Sequence, residues 1–189
     1  MSMKCGIVIF DDFTDIDFFL PWDILNRVRT LLKKNCLEVV IIGEKAEHVS
    51  KSGLKVPTTG GLEDIPTMDA VIFCSGPQTR TLCKNSSFLK KIKIDPRKQL
   101  VSGVCSGSLF LGALGVLKNK KATTYPTARN MLKEFGADVV SEAFVSEGNI
   151  CTSASCLSGQ YVAHWVISKL VEEASANKIL ESIQPLQSH

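Results

Sequence analysis

Apolar positions along the chain follow two alternating patterns. Continuous apolar runs occupy Lys4 to Phe10, Leu37 to Ile42, Ala70 to Cys74 and Leu100 to Val104. Runs of that length predict strands buried on both faces, as in a parallel sheet. Between them the apolar residues recur at helical spacing. A helix is predicted from near Thr14 to about Lys34, with Phe18, Phe19, Trp22, Leu25, Val28, Leu31 and Leu32 facing inward. Pro21 stands early in it, where a missing N–H does least harm if the first turn is irregular. Val49 to Thr58, interrupted by Gly53 and Pro57, predicts a short edge strand or hairpin. Gly60-Gly61 and Pro66 mark a loop. A helix is expected within Thr79 to Ile94, before Pro96. Ala122 to Thr124 predicts a short strand, and Pro126 opens a helix that stops at Gly136. Ala137 to Val140, Ala143 to Ser146 and Ile150 to Ser153 read as short strands, the last two joined by a turn at Glu147-Gly148-Asn149. A final helix is expected from about Ser158 to Leu180. Strands alternating with helices predict an α/β sandwich around a mostly parallel sheet, and 189 residues suit one domain, 1–189.

Composition narrows the function classes. At 44% apolar residues the chain is expected to form a compact core. The net charge of +3 is mild, and no basic run is interleaved with aromatics, so nucleic acid is not an indicated partner. Lys118, Lys120 and Lys121 read as a solvated loop. No apolar stretch reaches the length of a membrane span, and no signal-peptide pattern opens the sequence. Seven cysteines, an odd number without a framework, suit free thiols and a cytoplasmic location.

The chemistry concentrates at Gly103-Val104-Cys105-Ser106-Gly107. Glycines two residues to either side of a cysteine, between an apolar strand and a helix, have the spacing of a nucleophile elbow with Cys in place of Ser. A thiol at the start of a helix is expected to ionise more readily than a free one. The alternative is a structural cysteine with two incidental glycines. In parallel sheets, sites gather beyond the carboxyl ends of strands. Thr14 to Asp17, Ser75-Gly76-Pro77 and Cys105 all fall there. Asp17 fits an N-terminal cap (Thr14-x-x-Asp17). Its apolar neighbours Ile16, Phe18 and Phe19 equally suit a buried acid that keeps its proton beside a thiolate. Asp15 is expected to face solvent. Trp22, Thr124 and Tyr125 are candidate pocket walls, each as easily core. Cys74 is a candidate resolving thiol. His48, His164 and His189 fall near no strand end that would bring them to Cys105, which disfavours a Cys-His dyad. Cys151, Cys156 and His164 fit no zinc spacing, so no metal is expected. No Gly-x-Gly-x-x-Gly follows the first strand, so no dinucleotide cofactor is expected.

In order and spacing, several segments together resemble the ThiJ/PfpI family of the class I glutamine-amidotransferase-like superfamily. They are Gly6-Ile7-Val8-Ile9-Phe10, Asp15 to Pro21, Ser75-Gly76-Pro77, the cysteine motif, Ala122-Thr123-Thr124-Tyr125 and Gly148 to Ser153. The resemblance covers nearly the whole chain. It implies a flavodoxin-like three-layer sandwich, a homodimer, and a reactive Cys105 on the elbow beside an acid; no cofactor is expected. Within the family the pattern is similar to isonitrile hydratase-like members, which implies Asp17 as the acid and Ser106 in place of their threonine. An oxyanion hole would be formed by the N–H groups of Gly76 and Ser106. Ser75-Gly76-Pro77 departs from the family's double glycine, and Tyr125 stands where the hydratase relatives often carry His.

The expected activity is therefore a cysteine-dependent enzyme, a hydratase-type lyase or a hydrolase, acting on a small electrophilic molecule. Hydration of an isonitrile to a formamide stands first, with protease/amidase or glyoxalase/deglycase chemistry as the alternative. A non-catalytic cysteine redox sensor or a ligand-binding module is the reading from a different class. The absence of a helix-turn-helix extension disfavours the ligand-binding regulator.

Overall fold

The computed structural model describes residues 2–185, and His189 lies outside them. Its strands are β1 (Met3–Val8), β2 (Leu37–Gly43), β3 (Glu47–Val49), β4 (Lys55–Pro57), β5 (Gly60–Gly61), β6 (Ala70–Phe73), β7 (Leu100–Val104), β8 (Lys121–Ala122), β9 (Asp138–Val139), β10 (Phe144–Glu147) and β11 (Ile150–Ser153). Seven of them form one sheet in the order β10-β11-β7-β6-β1-β2-β5. Every neighbouring pair is parallel except β10–β11, a hairpin turned at Gly148. All residues of β6 and β7 are buried, as their unbroken apolar sequences require.

The helices are α1 (Asp15–Thr30), α2 (Thr79–Leu82), α3 (Ser86–Lys91), α4 (Ser108–Ala113), α5 (Arg129–Glu134), α6 (Gly159–Leu170) and α7 (Glu173–Glu181). Successive strand residues point to opposite faces, and the end of β7 shows what covers each face. A Cβ on Gly103 would lie 2.5 Å from Ser108 N in α4, whereas Val104 packs beside Gly159 of α6. On the α4 face, Phe110 meets the rings of Phe10, Phe73 and Phe88, with centroids no more than 5.9 Å away. On the other face α1, α6 and α7 pack together. The chain is thus an α/β fold with a mostly parallel sheet flanked by helices.

Several local expectations give way to tertiary context. Helix α1 ends at Thr30 rather than Lys34, with Leu31 exposed and Lys33 in the left-handed region at φ +57°. Pro21 sits in the body of α1, not in an irregular first turn. It has no N–H to give the Asp17 carbonyl four residues back. That carbonyl instead accepts the Cys74 thiol at 3.4 Å. The Thr79–Ile94 helix is split in two, because the Asn85 side chain accepts the N–H groups of Ser87 and Phe88 and starts α3 afresh.

The expected final helix breaks at Val171–Glu172, where Glu172 is extended (φ −172°). His164 Nε2 lies 2.7 Å from Asn177 Oδ1. In one straight helix those residues would be about 20 Å apart. Folding back lets Ala176 and Ile179 bury instead of projecting into water. Among the minor elements, β3 and β4 form the hairpin expected around Val49 to Thr58, apart from the main sheet. β9 pairs with β8 outside the main sheet, and Gly60-Gly61, expected as loop, forms the edge strand β5.

Strand β1 is flanked by β2 on one side and β6 on the other, so the strand order reverses beside it. A crevice is expected at the carboxyl ends there. The segments that follow β1, β6, β7 and β11 carry Asp17, in the first turn of α1, and Ser75, Cys105 and Cys156 respectively.

Candidate active site

At the end of β7 the chain reverses through a single 3₁₀ turn, Cys105–Gly107, into α4. Cys105 adopts φ +54°. A side chain in that left-handed region costs about 1 kcal/mol or more and persists only where its surroundings enforce it. Both flanking glycines do so by close approach. A Cβ on Gly107 would lie 2.2 Å from the Phe73 carbonyl oxygen, and one on Gly103 would press on the backbone of Ser108. From behind, the Ser108 and Thr124 hydroxyls donate to the Cys105 carbonyl at 3.0 and 3.1 Å. Cys105 occupies the elbow position.

Asp17, in the first turn of α1, is wholly buried. Thr14 makes no side-chain cap, so the capping alternative does not describe this helix start. The Asp17 carboxylate turns inward instead. Its Oδ2 accepts a hydrogen bond from the Ser75 hydroxyl, and its Oδ1 is buried without a hydrogen-bond partner among the described residues. A carboxylate oxygen of Asp17, Cys105 Sγ and Cys156 Sγ all lie within 4.8 Å of one another. Among the described residues this is the donor set that comes nearest to a metal-ligand cluster. Asp15 is half-buried, not solvent-facing. Its carboxylate accepts from the Ser50 and Ser52 hydroxyls and so ties α1 to the β3–β4 segment.

Burial is the dominant influence on both acidic groups. It raises the Asp17 carboxyl above its ordinary range, against the Ser75 hydrogen bond and the nearby Cys156 and Cys105 thiols. Burial, and then the neighbouring Asp17 charge, push the Cys105 thiol up to about 11, against Ser75 and the Ser106 N–H. This is opposite to the expectation from a helix start. The elbow offers the sulfur one backbone N–H, and α4 is only six residues long, so desolvation wins. At neutral pH the Cys105 proton therefore rests on sulfur. The Cys156 thiol is raised as well, by burial and by the Asp17 beside it.

Cys105 opens onto a cleft of about 380 Å³. Ser75, Gly76, Ser106, Tyr125 and Cys156 also line it, with Lys51 and Arg80 adding positive charge. Arg80 is held by Thr127 at 2.7 Å, and no acidic side chain lines the cleft. The Gly76 N–H has no hydrogen-bond partner among the described residues. A Cβ on Gly76 would lie 2.4 Å from the Asp12 carbonyl oxygen. The Thr79 hydroxyl spends its proton on the Gly76 carbonyl at 2.6 Å, so at 2.9 Å it accepts from Ser106. The Ser106 oxygen therefore presents lone pairs, not a proton, to anything in the cleft.

The structure brings Cys105, Asp17, Ser106, Gly76 and Tyr125 together; Trp22 and Thr124 do not line the cleft. Trp22 packs on Phe18 and Phe19. Five residues past Asp17, it is rotated about 140° around the helix from it. Thr124 is buried behind the elbow. Neither His48, bonded to Asp11 at 2.8 Å, nor His164 reaches the cleft. Cys74 is sealed in the core with its thiol on the Asp17 carbonyl, so the sulfur near Cys105 is that of Cys156 instead.

Sequence reasoning placed Ser75 at the site edge without giving its side chain a role, and weighed Cys156 only as a metal ligand; for Cys156 the missed signal was its position just past a strand's carboxyl end, the same signal that singled out Cys105. A larger groove of about 500 Å³ beside Glu44, Leu62 and Lys91 is lined by no cysteine, serine or threonine. Among the described residues no helix is long and apolar enough to cross a membrane.

Residues 3–169 match the DJ-1/PfpI family. The chain is 28% identical over 173 residues to an isonitrile hydratase of Pseudomonas putida, covering 90% of this chain and 73% of that protein. It is 26% identical over 156 residues to a deglycase of Thermococcus kodakarensis, covering 80% and 89%. Among solved structures, a ThiJ/PfpI family protein from Pseudomonas syringae superposes with TM-score 0.85 at 20% identity, covering 100% of this chain and 78% of that one. The chain also spans 54% of a two-domain protein from Anabaena variabilis that contains DJ-1/ThiJ/PfpI-like and ferritin-like domains. That match covers 96% of this chain, with TM-score 0.81 at 22% identity.

Proposed function

The chain belongs to the DJ-1/PfpI family, and on that premise we propose that it is a cysteine-dependent enzyme that hydrates a small isonitrile to an N-substituted formamide. The observation that carries this reading is the elbow cysteine with its sulfur within 4.8 Å of an oxygen of the buried Asp17 carboxylate, whose Oδ1 has no hydrogen-bond partner among the described residues. Similarity to an isonitrile hydratase supports the reaction class.

Chemistry starts with the proton on sulfur. As Cys105 Sγ adds to the terminal isonitrile carbon, Asp17 Oδ1 takes the thiol proton and then delivers it to that carbon. The product is a thioimidate, R–N=CH–S–Cys105. Water then adds to the same carbon, held by the Ser106 oxygen as acceptor. Asp17 withdraws one of its protons, directly or through the Ser75 hydroxyl that faces both the acid and the cleft. Protonation of nitrogen and cleavage of the C–S bond release R–NH–CHO and restore the thiol. The Gly76 and Ser106 N–H groups stabilise charge that develops during each addition. Lys51 and Arg80, with no acidic side chain lining the cleft, favour a substrate whose R group is anionic.

The test is formamide production from a carboxylate-bearing alkyl isonitrile and from its neutral ester, with Cys105→Ser as control. Turnover that survives in Cys105→Ser, or no turnover of any isonitrile, sinks the proposal. Consumption of a dicarbonyl in place of isonitriles would favour the second reading, which the deglycase similarity supports.

A further inference from the structure

Cys156 has no part in the hydration chemistry, yet its sulfur lies within 4.8 Å of both Cys105 Sγ and an Asp17 carboxylate oxygen. We propose that a hydroperoxide entering the cleft converts Cys105 and Cys156 into an intramolecular disulfide, making the cleft a reversible redox modification site. The inference rests on Cys105 as the reactive sulfur, not on which electrophile it processes.

Geometry distinguishes Cys156 from the other five candidates. Cys5, Cys74 and Cys151 are sealed in the core. Cys83 is buried with its thiol 3.8 Å from Met131 Sδ. Cys36 precedes β2 and so lies at the amino ends of the strands, away from the cleft. Cys156 lies in the bend between β11 and α6, half-buried and next to Leu157, which is 65% exposed. The sulfurs must close to about 2 Å to bond. The remaining approach of under about 3 Å falls to this surface bend, because Cys105 is clasped by its glycines and by Ser108 and Thr124.

The chemistry balances in two steps. In the first, Cys105 sulfur attacks the distal oxygen of ROOH. The S–O bond forms, the O–O bond breaks, and the thiol proton passes by way of Asp17 to the leaving RO⁻ as ROH. Sulfur loses two electrons to the peroxide and becomes a sulfenic acid. In the second, Cys156 sulfur attacks that of Cys105. The S–S bond forms, the S–O bond breaks, and the hydroxide leaves with the Cys156 proton as water. The unpartnered Asp17 Oδ1 is the buried acceptor for the thiol protons. A lone cysteine at this position would climb to the irreversible sulfinic acid under further peroxide; a resolving neighbour stops the ladder at a state that thiols can reduce.

The test treats reduced full-length protein with hydrogen peroxide and follows intact mass and non-reduced peptide maps. The expected result is loss of two hydrogens and a Cys105–Cys156 linked peptide, both reversed by dithiothreitol. Cys156→Ser and Cys156→Ala, checked for fold by circular dichroism, should instead gain oxygen at Cys105. Wild-type protein that accumulates oxygen at Cys105 while Cys156 stays alkylatable would overturn the proposal. A disulfide through another cysteine, or an unreactive Cys105, would do the same. Isonitrile turnover is assayed separately on reduced protein. A disulfide without turnover therefore defeats only the hydratase reading, and turnover without a disulfide defeats only this one.

Discussion

Asp17→Asn separates two ways in which the acid acts on the sulfur. At rest the Asp17 charge opposes ionisation of Cys105, and during reaction the same group carries the proton. With the two groups within 4.8 Å, a unit charge raises the cost of a second by ~1–3 kcal/mol for effective dielectrics between that of water and about 20. That corresponds to about one to two pKa units. Burial, the larger cause of the shift to about 11, is untouched by the substitution, so the variant thiol remains above the ordinary range or near its top. The thiolate fraction at pH 8 should rise about tenfold to a hundredfold. A less basic thiolate is a weaker nucleophile, so alkylation should quicken only about three- to tenfold. Isonitrile turnover should fall by roughly 10²–10⁴, the usual worth of a general acid–base. The assay is iodoacetamide labelling of Cys105 followed by peptide mass spectrometry across pH 6 to 10, beside formamide production. Opposite signs in the two readouts are the expected outcome. Labelling that slows or stays the same in Asp17→Asn refutes the reasoning, because Asp17 would then hold its proton at rest.

The same substitution has a stability consequence. An unfolded carboxyl titrates near 3.9, and burial raises the native Asp17 above that. Between the two values the native state binds more protons, so native stability falls as pH rises through them. Asp17→Asn should therefore raise Tm at pH 7, a gain that disappears below about pH 4 when both states of wild type are protonated. Ser75→Ala removes a hydrogen bond that lowers the Asp17 pKa; kcat/KM should drop about tenfold to a hundredfold, with the acid limb of the pH–rate profile moved to higher pH. Cys105→Gly should be more stable than Cys105→Ala by about 1 kcal/mol in urea titration, since glycine adopts φ +54° without strain. Gly107→Ala should cost ~3 kcal/mol or more or prevent folding, because its methyl would overlap the Phe73 carbonyl.

The buried strands, the α/β class, the elbow at Cys105 and the gathering of the site at strand ends were legible in the linear sequence. Each rests on local chemistry: unbroken apolar runs, and glycines where the backbone leaves no room for a Cβ. What depends on contacts between distant segments was not legible. The Asp17 carbonyl is free for Cys74 because of Pro21, yet only the tertiary approach of the segment after β6 to the start of α1 brings that thiol to it. α7 folds back because Ala176 and Ile179 have an apolar surface to cover, which no pattern within residues 158–181 reveals. Trp22 and Thr124 have the right composition for a pocket wall, and helix phase and elbow geometry turn both away from the cleft. Ser75 and Cys156, separated by 58 or more residues from Asp17 along the chain, meet it only where the sheet order reverses. The thiol's acidity was decided last, because desolvation is a property of everything packed around the sulfur and not of the five residues that carry it.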